Sequence, residues 1–233
     1  MSLFTPEVHD ITVCTTTTGN PDGLSRLLDS IEAQGIPVTH LLLWDGKRHP
    51  DAKDPAYYES KRRHSIVFPN GQFAPINPAQ EFSVGPSPMG LGMLLAKTKW
   101  LTWADDDVWW EKGHIEALVP TLTDPAYAYT LRRVWHKGEC LGVDRAESVG
   151  HHLPRKFSYA MTDSNTMLVR RDLAINILPH IMATAGYDGD RIMYQQMRLM
   201  YGDAHFTWRA TINQECPERL AQHFQSCCEL EAA

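Results

Sequence analysis

The amino-terminal sequence carries the pattern of a β-strand, an α-helix and a second β-strand. Residues 10–16 are largely β-branched or apolar, and they lead to Asn20 and Pro21, which are favoured as the cap and the first residue of a helix. Apolar side chains then recur at helical spacing: Leu24, Leu27, Leu28 and Ile31. Residues 38–44 form a largely apolar segment that is too short for a helix and typical of a central strand. This order predicts a βαβ unit, whose two strands lie parallel in one sheet.

The rest of the chain continues with strand and helix patterns. Strands are predicted at residues 65–68, 100–104, 127–131, 139–143, 166–169 and 206–211, and helices at 89–98, 115–122, 171–178 and 190–201. Alternation in the first half and mixed elements in the second predict an α/β fold with a mostly parallel central sheet and an antiparallel extension. A length of 233 residues fits a single domain over residues 1–233.

Composition and charge are those of a globular protein. Hydrophobic residues make up 43% of the chain, and the net charge of -6 gives no global attraction to nucleic acid or to an anionic membrane. No apolar stretch reaches the ~20 residues needed to cross a bilayer, and the amino end lacks the pattern of a signal peptide. We therefore expect a cytoplasmic protein without membrane insertion. The five scattered cysteines favour reduced thiols, and the spacing of Cys216, His223, Cys227 and Cys228 is unlike that of a structural zinc site.

Three consecutive carboxylates, Asp105, Asp106 and Asp107, directly follow the tryptophan-rich strand at residues 100–104. Adjacent like charges repel, and in an apolar setting they cannot all stay ionised without a nearby positive charge. Oxygen ligands at the end of a strand suit a hard divalent cation, Mg²⁺ or Mn²⁺, with substrate phosphates and water as its other ligands. Alternation along an extended segment points Asp105 and Asp107 to one side. An acidic turn at a helix start is the alternative.

Three segments carry a resemblance to a known family: ITVCTTTTGNPDGLSRLLDSIEAQ, HLLLWDG and WLTWADDDVWW. In order and spacing they resemble the family 2-like glycosyltransferases, which have the Rossmann-type fold called GT-A, and the last segment matches that family's D-x-D motif. The resemblance implies a nucleotide-sugar-binding half at about residues 10–122 and an acceptor-side half with the carboxyl-terminal segment at about 123–233. It implies a nucleotide-diphosphate-sugar donor, with a UDP-sugar expected first.

The same resemblance assigns roles to individual residues. The expected nucleotide contacts are Thr15, Thr17, Asp45, Asp105 and Asp106. The expected ligands of the metal are Asp105 and Asp107; an ion held against the diphosphate would stabilise the negative charge that builds as the sugar leaves. Asp45 also follows a strand at the edge where ligands enter open α/β sheets, and a plain turn is its alternative role.

A further carboxylate is the candidate base. Inverting members of the family take the proton of the acceptor hydroxyl with a carboxylate that opens a helix downstream of the metal motif. Asp190 matches this placement, because Ile192, Met193 and Met197 follow it at helical spacing. A helix amino terminus lowers a carboxyl pKa, which would keep Asp190 ionised at neutral pH. Asp188 is a second candidate, and simple capping by Asp190 is the alternative.

Other residues have weaker assignments. Core packing is favoured for Trp100 and Trp103, while Trp109 or Trp110 would line the donor site. His205 and His223, near the carboxyl end of the chain, are candidates for additional metal ligands. Residues 151–156 are a candidate acceptor-side loop, on the basis of their position in the sequence alone.

These features predict a metal-dependent glycosyltransferase that transfers a sugar to the hydroxyl group of an unidentified acceptor. The candidate acceptors include a glycan and a modified nucleic-acid base, and the sequence does not decide between them. A nucleotidyltransferase on a similar scaffold is the alternative among enzymes. Such enzymes usually have a glycine-rich, basic loop after the first strand, whereas residues 15–20 contain one glycine and no basic residue. A non-catalytic module that binds a nucleotide or a glycan is the alternative outside enzymes.

Overall fold

The computed structural model describes residues 10–44, 49–67, 86–119, 126–146, 148–150, 161–182 and 189–229. Its strands are β1 (Ile11–Thr17), β2 (Thr39–Trp44), β3 (Arg63–Val67), β4 (Trp100–Trp103), β5 (Val108–Trp110), β6 (Tyr127–His136), β7 (Glu139–Asp144), β8 (Met167–Arg170), β9 (His205–Glu215) and β10 (Cys228–Glu229). Its helices are α1 (Pro21–Glu32), α2 (Pro86–Leu95), α3 (His114–Leu118), α4 (Arg171–Met182), α5 (Gly189–Tyr201) and α6 (Glu218–Cys227).

The ten strands form one sheet. Strands β4, β1, β2 and β3 are neighbours in this order and run parallel, as the βαβ pattern predicts. Beyond β4 the sheet continues through β8, β6, β7 and β10, each antiparallel to its neighbour. Strand β9 runs parallel to β6 and antiparallel to β5. The predicted α/β class, with a parallel centre and an antiparallel extension, is confirmed, and strands from both halves of the chain join in the same sheet.

Helix α1 covers one face of the parallel strands. Its periodic apolar residues are all buried, as their spacing predicts: Leu24, Leu27, Leu28 and Ile31. Pro21 is its first residue and Asn20 its cap, but the Asn20 side chain makes no capping hydrogen bond, contrary to expectation. The first regular backbone hydrogen bond of the helix is formed all the same, since the Leu24 N–H donates to the Asn20 carbonyl oxygen at 2.9 Å.

The helices are short. The longest that the structure describes, α5, has 13 residues, and none in the described ranges is long and apolar enough to cross a membrane. Helix α3 ends at Leu118, two residues before Pro120, which lacks the N–H that would continue it.

The elements that sequence periodicity missed are β5, β10 and α6. Strand β5 has three residues and follows the carboxylates directly, and β10 has two, so neither is long enough to show alternation. Strands β6 and β9, with 10 and 11 residues, are longer than predicted. Their carboxyl halves contain buried or half-buried polar residues such as Arg132 and Gln214, which break the apolar pattern.

Apolar side chains pack on both faces of the sheet because successive residues of a strand point to opposite sides. Cys14 packs in the cluster that contains Met93 of α2, whereas its neighbour Val13 belongs to the cluster on the other face. Trp100 and Trp103 are 6% and 3% exposed. Both are therefore core residues, as the sequence favours.

Gly23 lies in the first turn of α1, where this helix meets the carboxylate segment after β4. A Cβ atom on Gly23 would lie 2.0 Å from the backbone oxygen of Asp106. In an ordinary helix interior, a change from glycine to alanine gains about 1 kcal/mol. Here we expect Gly23→Ala to lower the free energy of unfolding by roughly 1–3 kcal/mol, because the helix and the segment would have to move apart.

Urea denaturation followed by circular dichroism measures this difference. Ser25→Ala, at an exposed position of the same helix, is the matched control and should change stability by less than about 0.5 kcal/mol. A Gly23→Ala variant as stable as the parent would show that the contact does not constrain the fold.

Candidate active site

The candidate site lies where the carboxyl ends of β1 and β4 meet as parallel neighbours. The segment of residues 104–107 starts at this edge, and the Ala104 N–H donates to the Cys14 carbonyl oxygen of β1 at 3.0 Å. Three other parts of the chain contact this segment or its neighbours: the loop after β1, the turn Ser164–Thr166 before β8, and the amino end of α5. The fold therefore brings together residues that are far apart in the sequence.

Asp106 ties the loop after β1 to the carboxylate segment. The Thr17 hydroxyl donates to Asp106 Oδ2 at 2.6 Å, and the Gly19 N–H donates to the Thr17 oxygen at 2.7 Å. Burial raises the pKa of Asp106, and hydrogen bonds from Thr17 and from the backbone of Thr18 and Asn20 oppose that rise. Thr17 and Asp106 are thus paired with each other, and their contact with a nucleotide stays a prediction.

Asp105 is held by Asn165, a residue that the sequence reasoning did not single out. The Asp105 N–H donates to Asn165 Oδ1 at 2.7 Å, and Asn165 Nδ2 donates to Asp105 Oδ2 at 3.1 Å. Burial raises the pKa of Asp105 well above its usual range, and the neighbouring Asp107 charge adds to this. The sequence does contain a signal for Asn165, because residues 162–165 are four consecutive polar residues directly before the predicted strand at residues 166–169. In the structure all four are buried.

Asp107 differs from Asp105 and Asp106 in its hydrogen bonding, because one of its carboxylate oxygens is both buried and without a partner in the described part of the chain. Gln214 Nε2 lies 3.4 Å from Asp107 Oδ2, a long hydrogen bond, while Oδ1 is buried and has no hydrogen-bond partner among the described residues. Burial raises the pKa of Asp107 to about 7, with the charges of Asp106 and Asp163 contributing. A buried carboxylate oxygen without a partner is costly, so this atom fits the binding of a cation.

Arg132 provides a buried positive charge behind the carboxylates. Its side chain is 4% exposed, and its Nε and Nη2 donate to Asp144 Oδ2 at 3.0 and 2.9 Å. Its Nη1 donates to Asp163 and, at 2.6 Å, to Gln214 Oε1. In the sequence Arg132 is one of two adjacent arginines, which are usually a solvated pair, so its burial could not be inferred.

Asp190 is the second residue of α5 and is half-buried. It accepts hydrogen bonds from the side chain and the backbone of Ser164. Burial raises the pKa of Asp190 to about 7, and the Asp163 charge adds to this rise. The expectation that the helix terminus would lower this pKa is wrong, because the cost of removing the charge from water outweighs the effect of the helix.

Of the remaining predicted nucleotide contacts, Thr15 lies within the described residues and Asp45 does not. Thr15 is fully buried, and its hydroxyl lies 2.8 Å from His40 Nε2, which gives it a structural partner within the sheet. Its contact with a ligand stays a prediction. Asp45, Asp188 and the loop at residues 151–156 lie outside the described residues.

Of the two tryptophans after the carboxylates, Trp110 is 3% exposed and belongs to the core. Trp109 is half-buried, and the Arg26 guanidinium stacks over its ring at 3.8 Å from the centroid. The Trp109 ring also lies against that of Trp135, with the centroids 5.8 Å apart, so Trp109 is the more exposed of the pair and its contact with a donor stays a prediction.

The candidate metal ligands do not form a closed cage. Within the described ranges, no three side chains among His, Cys, Asp and Glu are arranged to hold a metal ion. His205 is exposed at the first residue of β9, at the end of that strand remote from Gln214. His223 Nε2 lies 3.7 Å from Cys227 Sγ in α6. Among the predicted metal ligands, Asp107 is the one with a buried oxygen that has no hydrogen-bond partner among the described residues, and its binding of a metal stays a prediction.

Comparison with known proteins identifies the fold. The chain matches no protein-family profile and no curated protein sequence. Among solved structures it resembles S. aureus TarS, a GT-A-type glycosyltransferase, in complex with UDP-GlcNAc, with a TM-score of 0.64 and 14% identity over 93% of this chain and 61% of that chain. The complex of TarS with UDP gives a TM-score of 0.59 and 12% identity over 92% and 63%.

A third TarS structure gives a TM-score of 0.62 and 14% identity over 95% and 67% of the two chains. The chain thus spans about three-fifths to two-thirds of the length of these TarS chains. It has a GT-A-like glycosyltransferase fold, as the resemblance implied.

The raised pKa of Asp107 predicts a stabilising substitution. Between the ordinary carboxyl pKa of 3.8 and about 7, the folded state holds a proton on Asp107 that the unfolded state has lost, so stability falls as the pH rises through this window. Asp107→Asn removes the buried charge. We expect its melting temperature to exceed that of the parent by about 2–6 °C at pH 8, and by less at pH 5.

Calorimetric melting of both proteins at the two pH values measures this. The control is Asp172→Asn, since Arg170 lowers the pKa of the exposed Asp172 and neutralising it should not raise the melting temperature. An Asp107→Asn variant less stable than the parent at pH 8 would mean that this carboxylate is not electrostatically strained.

Proposed function

We propose that the protein is a glycosyltransferase that transfers a sugar from a nucleotide-diphosphate-sugar donor, with a UDP-sugar favoured, to a hydroxyl acceptor. The observation that carries the proposal is the unpartnered, buried Oδ1 of Asp107 at the carboxyl edge of parallel strands. Ligands of open α/β sheets bind at this edge. The likeness to TarS, whose complexes contain UDP and UDP-GlcNAc, supports the donor class.

We propose Mn²⁺ or Mg²⁺ as the cofactor because the residues present fit such an ion. The donor atoms at the site are carboxylate oxygens, which hard divalent cations prefer. Asp106 is engaged by Thr17 and Asp105 by Asn165, so Asp107 is the proposed main ligand, and Asp105 the weaker of the two predicted ones. When bound, the ion would supply positive charge to the leaving diphosphate.

The protein's own groups would hold the donor in place. Asp106 and Thr17 fix the conformation of the loop after β1, which in this proposal lies against the nucleoside. Asp105 is fixed by both its backbone and its side chain, so it can accept a hydrogen bond from a ribose hydroxyl without losing its orientation. Thr15 and Asp45 complete the proposed nucleotide contacts. Preorganised groups of this kind lower the barrier because they need no rearrangement during the reaction.

Asp190 is the proposed base for the acceptor hydroxyl. Hydrogen bonds from Ser164 orient its carboxylate, and its pKa of about 7 lies where a base is both partly ionised and strong enough to take a proton. The acceptor oxygen would lose its proton to Asp190 as it attacks the anomeric carbon, and the bond between that carbon and the diphosphate oxygen would break, so that the nucleoside diphosphate leaves.

A thermal-shift experiment tests the donor and the metal together. We expect UDP and UDP-GlcNAc to raise the melting temperature of the parent by about 2–6 °C in the presence of Mn²⁺, because a ligand that binds only the folded state stabilises it. The metal-dependent part of this shift should disappear in Asp107→Asn and remain in the control Asp172→Asn. If no nucleotide shifts the melting curve, with or without Mn²⁺, the proposed function is wrong.

A second experiment tests the base with water as the acceptor. We expect Asp190→Asn to lower the rate of donor hydrolysis by about 100- to 10,000-fold while leaving the UDP-induced thermal shift intact. In the parent, kcat/KM should fall as the pH drops below about 7, because protonated Asp190 cannot accept a proton. Hydrolysis by Asp190→Asn at the parental rate would remove Asp190 from this role, and a parent that binds UDP but never turns over the donor would favour a non-catalytic module.

A further inference from the structure

Arg132 is the centre of a polar cluster formed by Arg132, Asp144, Asp163 and Gln214, which we call the Arg132 cluster. The exposed fractions of the Arg132, Asp144 and Asp163 side chains are 4%, 0% and 7%. Two backbone N–H groups also bind Asp144: that of Ala146 donates to Oδ1 at 2.9 Å and that of Ser148 to Oδ2 at 3.1 Å. The position of the guanidinium is thus fixed by a carboxylate that is itself fixed by the backbone.

The first branch of the cluster leads to Asp107 through Gln214. A guanidinium has donors and no acceptor, so Gln214 must turn its oxygen toward Arg132, as the 2.6 Å contact to Oε1 reflects. The amide nitrogen of Gln214 then points to Asp107 Oδ2 at 3.4 Å. Because Gln214 occupies this side of Asp107, the unpartnered Oδ1 is the oxygen left for a cation.

The second branch leads to Asp105 through two residues. Asp163 receives Arg132 on Oδ2, and its Oδ1 accepts both the backbone N–H of Asn165 at 2.9 Å and Asn165 Nδ2 at 2.8 Å. This fixes which end of the Asn165 amide is the nitrogen. Asn165 Oδ1 is therefore free to accept the Asp105 N–H, and its Nδ2 also reaches Asp105 Oδ2.

We propose that Arg132 is a positioning residue of the donor site, which orients the Asp107 and Asp105 carboxylates through the amides of Gln214 and Asn165. The inference rests on the proposed function, since the carboxylates are taken to receive a metal and a nucleotide. A purely structural ion pair would need only Asp144 and Asp163. Here two amides continue from the pair to the two carboxylates on either side of Asp106. The orientation of Gln214 depends directly on the guanidinium, and that of Asn165 depends on Asp163, whose carboxylate the guanidinium holds in place.

The experiment compares Arg132→Lys and Gln214→Met with the parent. Lysine keeps the positive charge but has no planar fork with which to hold three partners at once. Gln214→Met removes the hydrogen bond to Asp107 but keeps the ion pairs of Arg132 with Asp144 and Asp163. This variant can therefore test the inference even if Arg132→Lys does not fold. The matched control is Arg133→Lys, whose parent residue donates to the Ala210 carbonyl oxygen at 2.7 Å and lies 3.6 Å from Glu111.

The readout is the Mn²⁺ affinity of the UDP complex, measured by isothermal titration calorimetry, with the melting temperature recorded for each protein. Residues that orient a metal ligand change metal affinity by roughly 10- to 100-fold when substituted, and we expect this loss in Arg132→Lys and in Gln214→Met but not in Arg133→Lys. Because Arg132 and Gln214 act in series, the double variant should bind Mn²⁺ no more weakly than Arg132→Lys alone. UDP affinity in the presence of EDTA should change less than about twofold in Gln214→Met.

Two outcomes overturn the inference, and they are distinguishable. If the parent binds Mn²⁺ with UDP and Gln214→Met binds it equally well, the positioning role is wrong while the proposed function stands. If the parent itself shows no Mn²⁺ binding in the presence of UDP, the metal-dependent function fails and the inference fails with it.

Discussion

Repulsion among carboxylates that are withdrawn from water is the constraint around which this edge of the sheet is organised. Burial raises the pKa values of Asp105, Asp107 and Asp190, and each of them is raised further by a neighbouring carboxylate. The positive charge of Arg132 compensates part of this negative charge and opposes the rise in the pKa values of Asp107 and Asp190. A protein that only needed to be stable would gain by replacing such groups, so their presence together favours a site that receives a positive ion.

The sheet topology is what makes this concentration of charge feasible. Parallel pairing of β1 with β4 places Thr17 beside Asp106, 89 positions further along the chain. Strand β9 returns beside both β5 and β6, and so it inserts Gln214 between Arg132 and Asp107. The pairing of β6 with β9 is irregular on either side of Leu131, and Arg132 lies opposite Ile212 beyond the shift. Such irregularities commonly re-aim side chains near functional sites.

Local patterns in the sequence were sufficient for the parallel half of the fold and for the charged motif itself. The buried face of α1, strands β1, β2 and β4, and the placement of Asp190 in the first turn of α5 follow from residues that are close in the chain. Arg132 and Gln214 could not be found in this way, because their roles depend on partners 31 and 107 positions away. For Asn165 the only local signal is the run of polar residues before β8, and its partner Asp105 lies 60 positions away. An arginine that pairs with two buried aspartates has the same local sequence as a solvated one. The raised pKa of Asp190 does not follow from local sequence for a similar reason, since burial is a property of the assembled fold.

The titration of Asp107 near neutral pH has a thermodynamic consequence for any ion that binds there. A carboxyl group with a pKa of about 7 is protonated in a large share of molecules at neutral pH, and a cation must displace that proton. Ion uptake and proton release are then one linked equilibrium. The enthalpy observed on binding would include the heat of buffer protonation, so it would differ between phosphate and Tris at the same pH.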